Sequence, residues 1–221
     1  MKRVLIIGAS GGIGASLSEA LTLQHSEVVT LSRSVDGLDV TRESSVADHF
    51  DQLEGDFDGL FVATGALEIG GLRPEKALKQ LSAEAMVAQF MTNTVGPALV
   101  LKHALPRLRR TERCFVGVLS ARVGSIGDNG LGGWHSYRVS KAALNQIVRG
   151  TSIELARTHP EAICVALHPG TVATRFTEKY VGSHPTVAPA EAARNLLNVA
   201  QRLTPKDTGA FFDWRGKPIP W

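Results

Sequence analysis

The sequence predicts an α/β protein in which helices cover both faces of one parallel sheet, a doubly wound arrangement. Short apolar runs alternate along the chain with longer segments of helical periodicity, which is the pattern of strands joined by helical crossovers. The first run, residues 4–7, is apolar throughout, as expected of a strand buried on both faces. The 221 residues contain no internal repeat, linker or low-complexity segment, so we expect one domain over residues 1–221.

Strands are predicted where a short apolar or β-branched run is bounded by turn residues or charges. Right-handed crossovers through the intervening helices would place these strands in one parallel sheet, with the last of them at an edge. The predicted strands are residues 4–7, 27–31, 38–40, 60–63, 114–119, 162–167 and 210–212.

Helices are predicted from apolar residues that recur at spacings of three and four, as Ile13, Leu17 and Leu21 do in the first of them. Ser44 has the side chain of an N-cap and would begin the second helix. Pro97 lacks an N–H group and should interrupt the third. The predicted helices are residues 12–23, 44–53, 83–109, 137–158 and 189–203.

Two long loops lack periodicity, residues 122–136 and residues 171–188. Long loops inside a compact domain are usually functional, so we expect residues 171–188 to form a substrate lid. Phe176, Tyr180 and Val181 would face an apolar ligand from this lid, while Trp134 and His135 would line the opposite wall. Simple anchoring of the loops is the alternative for these side chains.

A glycine-rich turn joins the first predicted strand to the first helix. Its glycines allow a tight bend and close approach of the backbone to a ligand, and the helix that follows offers N–H groups to a pyrophosphate. A turn in this position therefore predicts dinucleotide binding in a Rossmann-type fold. The turn consists of Gly8, Ala9, Ser10, Gly11, Gly12, Ile13 and Gly14.

The residues after the second strand bear on the choice of cofactor. A free ribose 2′-hydroxyl would call for an acidic residue here, but the chain has Ser32 and Arg33. The Arg33 guanidinium suits a 2′-phosphate, so we expect NADP(H) to be preferred, with NAD(H) also possible. A solvated surface arginine is the alternative, and Gly11 adds no positive charge to the turn.

Tyr137 and Lys141 stand four residues apart and would lie on one face of a helix. An ammonium ion beside a phenol favours the phenolate, so we expect Lys141 to lower the pKa of Tyr137. Such a pair can exchange a proton with a substrate near neutral pH.

Several further motifs accompany this pair and the glycine-rich turn: Asp39-Val40, Asn93, and Pro169-Gly170 followed by Thr174. Together they resemble the short-chain dehydrogenase/reductase family over nearly the whole chain. Residues 122–129 and 132–134, with the terminal Trp221, resemble the branch that contains the C-factor and the Sniffer-like carbonyl reductases.

The resemblance implies that Tyr137 donates a proton to a substrate carbonyl oxygen while Lys141 lowers its pKa and holds the nicotinamide ribose. The cofactor supplies the hydride. The remaining cofactor contacts implied are the turn residues Gly8, Ser10, Gly11, Gly12, Ile13 and Gly14, then Ser32, Arg33, Asp39, Val40, Ala63, Thr64, Gly65, Pro169, Gly170, Val172 and Thr174. Where the family expects Asn-Ala-Gly, this chain has Ala63-Thr64-Gly65 and lacks one asparagine contact.

Asn93 has a physical argument of its own. Pro97, four residues later, offers no N–H to the carbonyl of Asn93, which is then free to hold a water joined to Lys141. The family's proton relay contains such a water, and a plain helix kink is the alternative.

A departure concerns the serine that orients the substrate carbonyl in the family, because this chain has Ser120-Ala121 where two serines are expected. Ser125 is our first choice for the missing hydroxyl, since Gly124 and Gly127 let its loop bend inward. Ser120 could supply it if the strand carries a bulge, or the site works without it.

The sequence thus predicts a cytoplasmic, NADPH-dependent reductase of a small carbonyl compound, or a dehydrogenase of the corresponding alcohol. A nucleotide-binding regulatory or signalling protein with vestigial catalysis is the alternative. The formal charge of +3, two cysteines and seven histidines without ligand spacing indicate no nucleic-acid partner and no metal. No apolar run approaches a membrane span. The resemblance implies a homodimer or homotetramer that pairs through the two long helices.

Overall fold

Six parallel strands form one open sheet in the order β2-β1-β3-β4-β5-β6. The protein is described here by a computed structural model that covers residues 1–174, 176–180 and 185–221. The parallel register joins each pair of neighbours, for example Leu5 to Leu60 and Val116 to Cys164. The strands are β1 (Arg3–Ile7), β2 (Glu27–Leu31), β3 (Gly59–Val62), β4 (Cys114–Leu119), β5 (Ala162–His168) and β6 (Phe211–Asp213). This confirms the predicted doubly wound α/β class.

Helices cover both faces of the sheet. Alternate residues of one strand serve the two layers, since Leu5 and Ile7 belong to the core beneath α3, α5 and α6, whereas Val4 and Ile6 pack with α1 and α7. The helices are α1 (Gly12–Leu23), α2 (Arg33–Asp36), α3 (Glu43–Asp51), α4 (Ala83–Phe90), α5 (Gly96–Ala104), α6 (His135–Leu155) and α7 (Pro189–Arg202). Within these described parts of the chain, no helix combines the length and apolarity that crossing a membrane requires.

The predicted strand at residues 38–40 is wrong. Leu38 is buried, which explains its apolar signal, but the neighbouring backbone bonds to side chains and not to a strand. The N–H of Asp39 donates to Ser45 Oγ at 3.0 Å, and Asp39 Oδ1 accepts from the N–H of Thr41 at 3.0 Å. The segment is therefore a turn stabilised by an aspartate.

Two predicted helices also differ from the observed ones. Helix α3 begins at Glu43 with Arg42 in the N-cap position, so the predicted cap at Ser44 is wrong. The predicted helix over residues 83–109 is divided, as expected from Pro97, into α4, a π-helical turn at Met91–Val95, α5 and a short 3-10 turn. A π turn lets the helical chain continue although proline has no N–H to donate, and such turns often occur at functional sites.

The strand order reverses between β1 and β3, since the chain builds β2 to one side of β1 and the other four strands to the opposite side. The carboxyl ends of parallel strands flank a crevice at such a point, where ligands of open α/β sheets bind. The glycine-rich turn follows β1, and residues 63–65 follow β3, so both border this crevice.

Candidate active site

Tyr137 and Lys141 lie in the first two turns of α6 and are 5% and 3% exposed. The Lys141 ammonium donates a hydrogen bond to the carbonyl of Leu119, at the end of β4, over 3.0 Å. Burial lowers the pKa of Lys141 to about 8. The helix therefore holds both predicted acid–base groups at the carboxyl edge of the sheet.

The pKa of Tyr137 is raised above its ordinary value, and burial is the only cause. The expectation that Lys141 lowers this pKa is wrong for the structure as it stands, because withdrawal from water penalises the phenolate and Lys141 contributes nothing to the shift. Tyr137 consequently holds its proton at neutral pH. A protonated phenol is the form required of a proton donor.

Asn93 is fully buried in the π-helical turn and connects three parts of the chain. Its Oδ1 accepts from the N–H of Ala66 at 2.8 Å, and its Nδ2 donates to the Ala66 carbonyl at 2.8 Å. The same Nδ2 contacts Gln89 Oε1 at 2.5 Å and Ser140 Oγ, on α6, at 3.4 Å. The π turn is thereby fixed to the segment after β3 and to the helix that carries Tyr137.

Gly65 brings Asn93 and Lys141 together. A Cβ atom at residue 65 would lie 3.1 Å from Asn93 Oδ1 and 3.4 Å from Lys141 Nζ, so the asparagine, the lysine and the end of β3 share one small space. The expected relay function of Asn93 remains a prediction, but the structure places it beside the lysine with which it would act.

Aromatic rings surround Tyr137. The Tyr137 ring lies edge-on to Trp134 at 6.3 Å and to Phe176 at 6.1 Å between centroids, and Trp134 lies edge-on to Tyr180 at 5.6 Å. Such geometries are favourable for aromatic pairs. Trp134, Phe176 and Tyr180 therefore form one aromatic cluster around Tyr137 instead of two opposite walls. Their contact with a substrate remains a prediction, and Val181 is outside the described residues.

His135 does not belong to this wall. It lines a separate groove on the other side of α6, together with Ile126, Val139 and Trp221, so its predicted position is wrong. The reason is helical geometry: His135 is two residues from Tyr137, and a separation of two turns a side chain to a different face.

Glu68 holds the lid segment in place. Its carboxylate accepts a hydrogen bond from Lys179 Nζ at 2.7 Å and another from the hydroxyl of Tyr180. Arg73 lies 3.8 Å away. These contacts tie residues 176–180 to the segment after β3 and bring Phe176 over Tyr137.

Glu75 is a buried acid that the sequence analysis missed. Its carboxylate accepts from the backbone N–H of Ser136 at 3.2 Å and from the hydroxyl of Ser136, immediately before Tyr137. Its backbone carbonyl accepts from the N–H of Trp134 at 2.5 Å. The residue lies in a loop without periodicity, and no feature of the sequence indicated its contact with α6.

The glycine-rich turn has the geometry that a pyrophosphate site requires. Gly8 has a φ of +90°, which favours glycine, and a Cβ at Gly14 would overlap the carbonyl oxygen of Gly8. Gly11 stands at the N-cap of α1 and has no side chain to bond the first amides of the helix. Those amides are available to an anion at the positive end of the helix dipole. Ser10, Gly12 and Ile13 belong to the same exposed or half-exposed surface.

Comparisons with known proteins agree with this geometry. A family model described as enoyl-(acyl carrier protein) reductase matches residues 15–212. The 1-hydroxy-2-glutathionyl-2-methyl-3-butene dehydrogenase of Rhodococcus sp. (strain AD45) is 31% identical over 239 aligned positions that cover 100% of both chains. The chain belongs to the short-chain dehydrogenase/reductase family. The C-signal of Myxococcus xanthus is 37% identical over 146 residues, which cover 66% of this chain and 84% of that protein.

Solved structures share the fold across the whole length of this short-chain dehydrogenase/reductase. The carbonyl reductase Sniffer of D. melanogaster has a TM-score of 0.82 at 23% identity and covers 100% of both chains. The NADPH-bound carbonyl reductase from chicken fatty liver has a TM-score of 0.84 at 25% identity and covers 100% of this chain and 99% of that one. The resemblance noted from the motifs is confirmed at the level of the family.

Three segments of this family member meet at the crevice. A Cβ at Gly8 would lie 2.9 Å from the carbonyl carbon of Ala63 and 3.1 Å from Thr64 Cγ2, so the turn after β1 closely meets the end of β3. Thr64 Oγ1 is buried without a hydrogen-bond partner in the described part of the chain. A polar ligand in the crevice would satisfy it. A Cβ at Gly12 would lie 2.8 Å from Thr174 Cγ2, so this turn and the segment after β5 share one surface.

The segment after β5 has a defined conformation up to residue 174. Gly170 has a φ of +83° beside the Trp214 ring, which explains a glycine after Pro169. Val172 is buried and forms an isolated parallel bridge with Val187. The cofactor contacts assigned to this segment remain predictions that its position permits.

The tip of β2 contains an acid that the sequence analysis did not consider. The carboxylate of Asp36 accepts from the N–H of Ser32 at 2.7 Å and from its hydroxyl at 3.2 Å, while Arg33 is exposed in the first turn of α2. Asp39 accepts a hydrogen bond from the Thr41 hydroxyl and lies 3.1 Å from Arg42 Nε. The bond from Thr41, together with the charge of Arg42, holds the pKa of the Asp39 carboxyl below its ordinary value.

Val40, another of the predicted cofactor contacts, packs against α5. A Cβ at Gly96 would lie 2.8 Å from Val40 Cγ2, which accounts for a glycine before Pro97. The structure therefore gives Val40 a packing role, and its contact with a cofactor remains a prediction.

Neither candidate serine is directed to Tyr137. The hydroxyl of Ser120 donates to Asn145 Oδ1 at 2.6 Å, and the hydroxyl of Ser125, 1% exposed, donates to the carbonyl of Pro220. The backbone N–H of Asp128 also donates to Ser125 Oγ at 3.1 Å. Both hydroxyls have structural partners, so the geometry favours the third expectation, a site that works without the extra hydroxyl.

The buried ammonium of Lys141 predicts how stability depends on pH. Its folded pKa of about 8 lies below its ordinary value of 10.5, so the unfolded chain binds the extra proton between these values and stability rises with pH across that window. Relative to Lys141→Met, the free energy of unfolding of the wild type should increase by about 2 kcal/mol between pH 7.5 and 10, measured by urea denaturation. The exposed Lys79, replaced by Met, provides the control. A difference that stays constant with pH would contradict the prediction.

Proposed function

We propose that this chain is an NADPH-dependent oxidoreductase that reduces a small carbonyl compound, or oxidises the corresponding alcohol, with Tyr137 as the acid or base. One observation carries the proposal: Tyr137 and Lys141 are buried one helical turn apart, with Lys141 beside Asn93 and Gly65 at the crevice that the glycine-rich turn borders. General acid catalysis of this kind contributes typically about 10²–10⁴ in rate.

The chain's own residues have distinct roles in the proposed reaction. The Tyr137 hydroxyl donates a proton to the substrate carbonyl oxygen, and the charge left on the phenolate is stabilised by Lys141. Asn93 holds the segment after β3 against α6, the helix that carries both Tyr137 and Lys141. Bound NADPH supplies the hydride. The amides of α1 would hold the pyrophosphate of this cofactor, and Arg33 would contact its 2′-phosphate.

The proposed preference for NADPH over NADH depends on the balance between two charges at the tip of β2. Asp36 repels a 2′-phosphate, but its carboxylate is engaged by Ser32. Arg33 extends freely from an exposed position and can form a bidentate contact with phosphate. The relative described as an NADPH-bound carbonyl reductase, 25% identical, supports the same choice.

Small or flat apolar carbonyl compounds are the proposed substrates, because the space beside Tyr137 is narrow and aromatic. In addition to the tyrosine itself, it is lined by Ile69, Leu72, Arg73, Pro74, Glu75, Ala85, Gln89 and Ser136. The direct test is loss of NADPH absorbance with a panel of aldehydes, ketones and quinones, and NADH as the comparison. Absence of turnover across the panel, with intact NADPH binding by calorimetry, would count against a reductase.

A second candidate function is a nucleotide-binding regulatory or signalling protein on the same scaffold. Ala121 favours it because the residue offers no hydroxyl, and the similarity to a protein named C-signal points the same way. The intact Tyr137–Lys141 pair and the walled space beside it favour the enzyme.

Ala121→Ser separates the two candidates. In an enzyme, a hydroxyl at this position would add a donor to the carbonyl oxygen and should raise kcat at least tenfold, since loss of such a donor costs about 10²–10³ elsewhere. Ala121→Cys is the matched control, because a thiol has similar size and is a weak donor. Stopped-flow or steady-state NADPH consumption measures the change. Equal kcat for the wild type and both variants would contradict the expectation.

The organisation of the protein beyond the site is also proposed here. We propose one domain over residues 1–221 with a lid at residues 171–188, in a cytoplasmic homodimer or homotetramer. Exposed apolar side chains on the two long helical segments support self-association, and light scattering measures the mass. These side chains are Val87, Phe90, Val139 and Ile153.

A further inference from the structure

Glu75 is 5% exposed, although it lies in a loop that is otherwise largely exposed. A carboxylate removed from water is costly unless hydrogen bonds and favourable charge compensate for the loss. Here the compensation comes from the backbone N–H and hydroxyl of Ser136, at the positive end of the 21-residue helix α6. The buried carboxylate of Glu75 therefore fixes the first turn of α6.

Glu75 bonds two residues that lie just before Tyr137 in the chain. Its carboxylate fixes Ser136, the residue before Tyr137, and its carbonyl fixes Trp134, whose ring packs on the Tyr137 ring. Trp134 has a φ of +51°, a conformation that non-glycine residues adopt only when their surroundings impose it. Together these bonds set both the direction in which α6 begins and one wall around the phenol.

We propose that Glu75 is a positioning residue that holds the Tyr137 phenol in its reactive orientation through the first turn of α6. The inference rests on the proposed function, in which Tyr137 donates the proton. Glu75 borders the narrow space beside Tyr137, but both of its carboxylate oxygens are engaged by Ser136, so it acts through Ser136 and Trp134. Because this role depends on the hydrogen bonds of Glu75 and not on its charge, glutamine at residue 75 should preserve it.

The test compares Glu75→Ala, Glu75→Gln and Ser136→Ala, with Glu84→Ala as the control at an exposed acid nearby. Glu75→Ala should lower kcat at least tenfold while the KM and calorimetric Kd for NADPH change less than twofold, because the glycine-rich turn lies across the sheet. Glu75→Gln should stay within threefold of wild type. An unchanged kcat in Glu75→Ala, or an equal loss in Glu75→Gln, overturns the proposal. If Glu75→Ala does not fold, Ser136→Ala decides: a threefold or larger fall in kcat supports the proposal and an unchanged kcat overturns it.

A spectroscopic measurement separates this inference from the proposed function. The chain has two tyrosines, so a Tyr180→Phe background leaves Tyr137 as the only one. Biosynthetic 3-fluorotyrosine then gives one ¹⁹F signal from the phenol, whether or not the protein turns over a carbonyl. The signal should be narrow with glutamate or glutamine at residue 75 and shifted or broadened with alanine. Identical spectra in all three would overturn the positioning role, whereas absence of carbonyl turnover with these spectral changes would overturn only the proposed function.

Discussion

Replacing Tyr137 by phenylalanine should lower kcat about 10³-fold while the protein folds and binds NADPH as before. The ring contacts with Trp134 and Phe176 do not use the hydroxyl, and no hydrogen bond contributes to the pKa of that hydroxyl, so phenylalanine fills the same space. The loss comes from the absent proton donor, a role worth about 10²–10⁴. NADPH consumption gives the rate, and calorimetry gives the Kd.

The second tyrosine provides the comparison for this experiment. Tyr180→Phe removes from the lid segment a hydroxyl that bonds Glu68. The substitution should therefore raise the KM for the carbonyl substrate and leave kcat within about threefold. Loss of the hydroxyl at residue 137 should thus change kcat, whereas loss of the hydroxyl at residue 180 should change the KM. Wild-type turnover by Tyr137→Phe would contradict the proposed chemistry.

Most of the sheet could be predicted because its strands are continuous apolar runs. Every observed strand overlaps a predicted one, since parallel strands covered on both faces need apolar residues at each position. The segment at residues 38–40 shows the limit of that signal. An apolar residue reports burial, and Leu38 is buried, but burial does not say whether the backbone bonds to a neighbouring strand or to Ser45 and Thr41.

Local spacing predicted the placement of Tyr137 and Lys141 but not their environment. Tyr137 and Lys141 share a helix face because of their separation, a property of the sequence alone. The sign of the pKa shift at Tyr137 depends on how completely distant segments exclude water, and the sequence contains no measure of that exclusion. The same holds for Lys141, whose partner at Leu119 lies at the end of another strand.

The contacts that Ser125 and Glu75 make could not be predicted from the sequence, for one common physical reason. Ser125 donates to the carbonyl of Pro220, 95 residues away, and Glu75 meets Ser136 over a separation of 61 residues. Such contacts leave no periodicity, because each forms only after the chain has folded. The resemblance to a family indicates residues with shared roles, and it is silent about a loop residue outside the shared motifs.

Replacing Gly14 by alanine should weaken NADPH binding at least 100-fold and destabilise the fold by about 1–3 kcal/mol. The added Cβ would overlap the carbonyl oxygen of Gly8 and would lie 2.9 Å from its carbonyl carbon and 3.0 Å from Ala9 Cα. All three atoms belong to the backbone, which cannot rotate aside as a side chain can, so the turn itself must move. Moving the turn displaces the amides of α1 from the pyrophosphate site.

Gly150→Ala is the control for this substitution, since residue 150 lies within α6 and a Cβ there meets nothing within 4 Å. Alanine in a helix interior is favoured over glycine, so this variant should gain about 0.5–1 kcal/mol and bind NADPH like the wild type. Urea denaturation and calorimetry measure both variants under the same conditions. The same chemical change thus has opposite effects on stability at the two positions, because the turn after β1 brings two backbone segments into contact and the middle of α6 does not. Wild-type affinity for NADPH in Gly14→Ala would show that the cofactor does not bind at this turn.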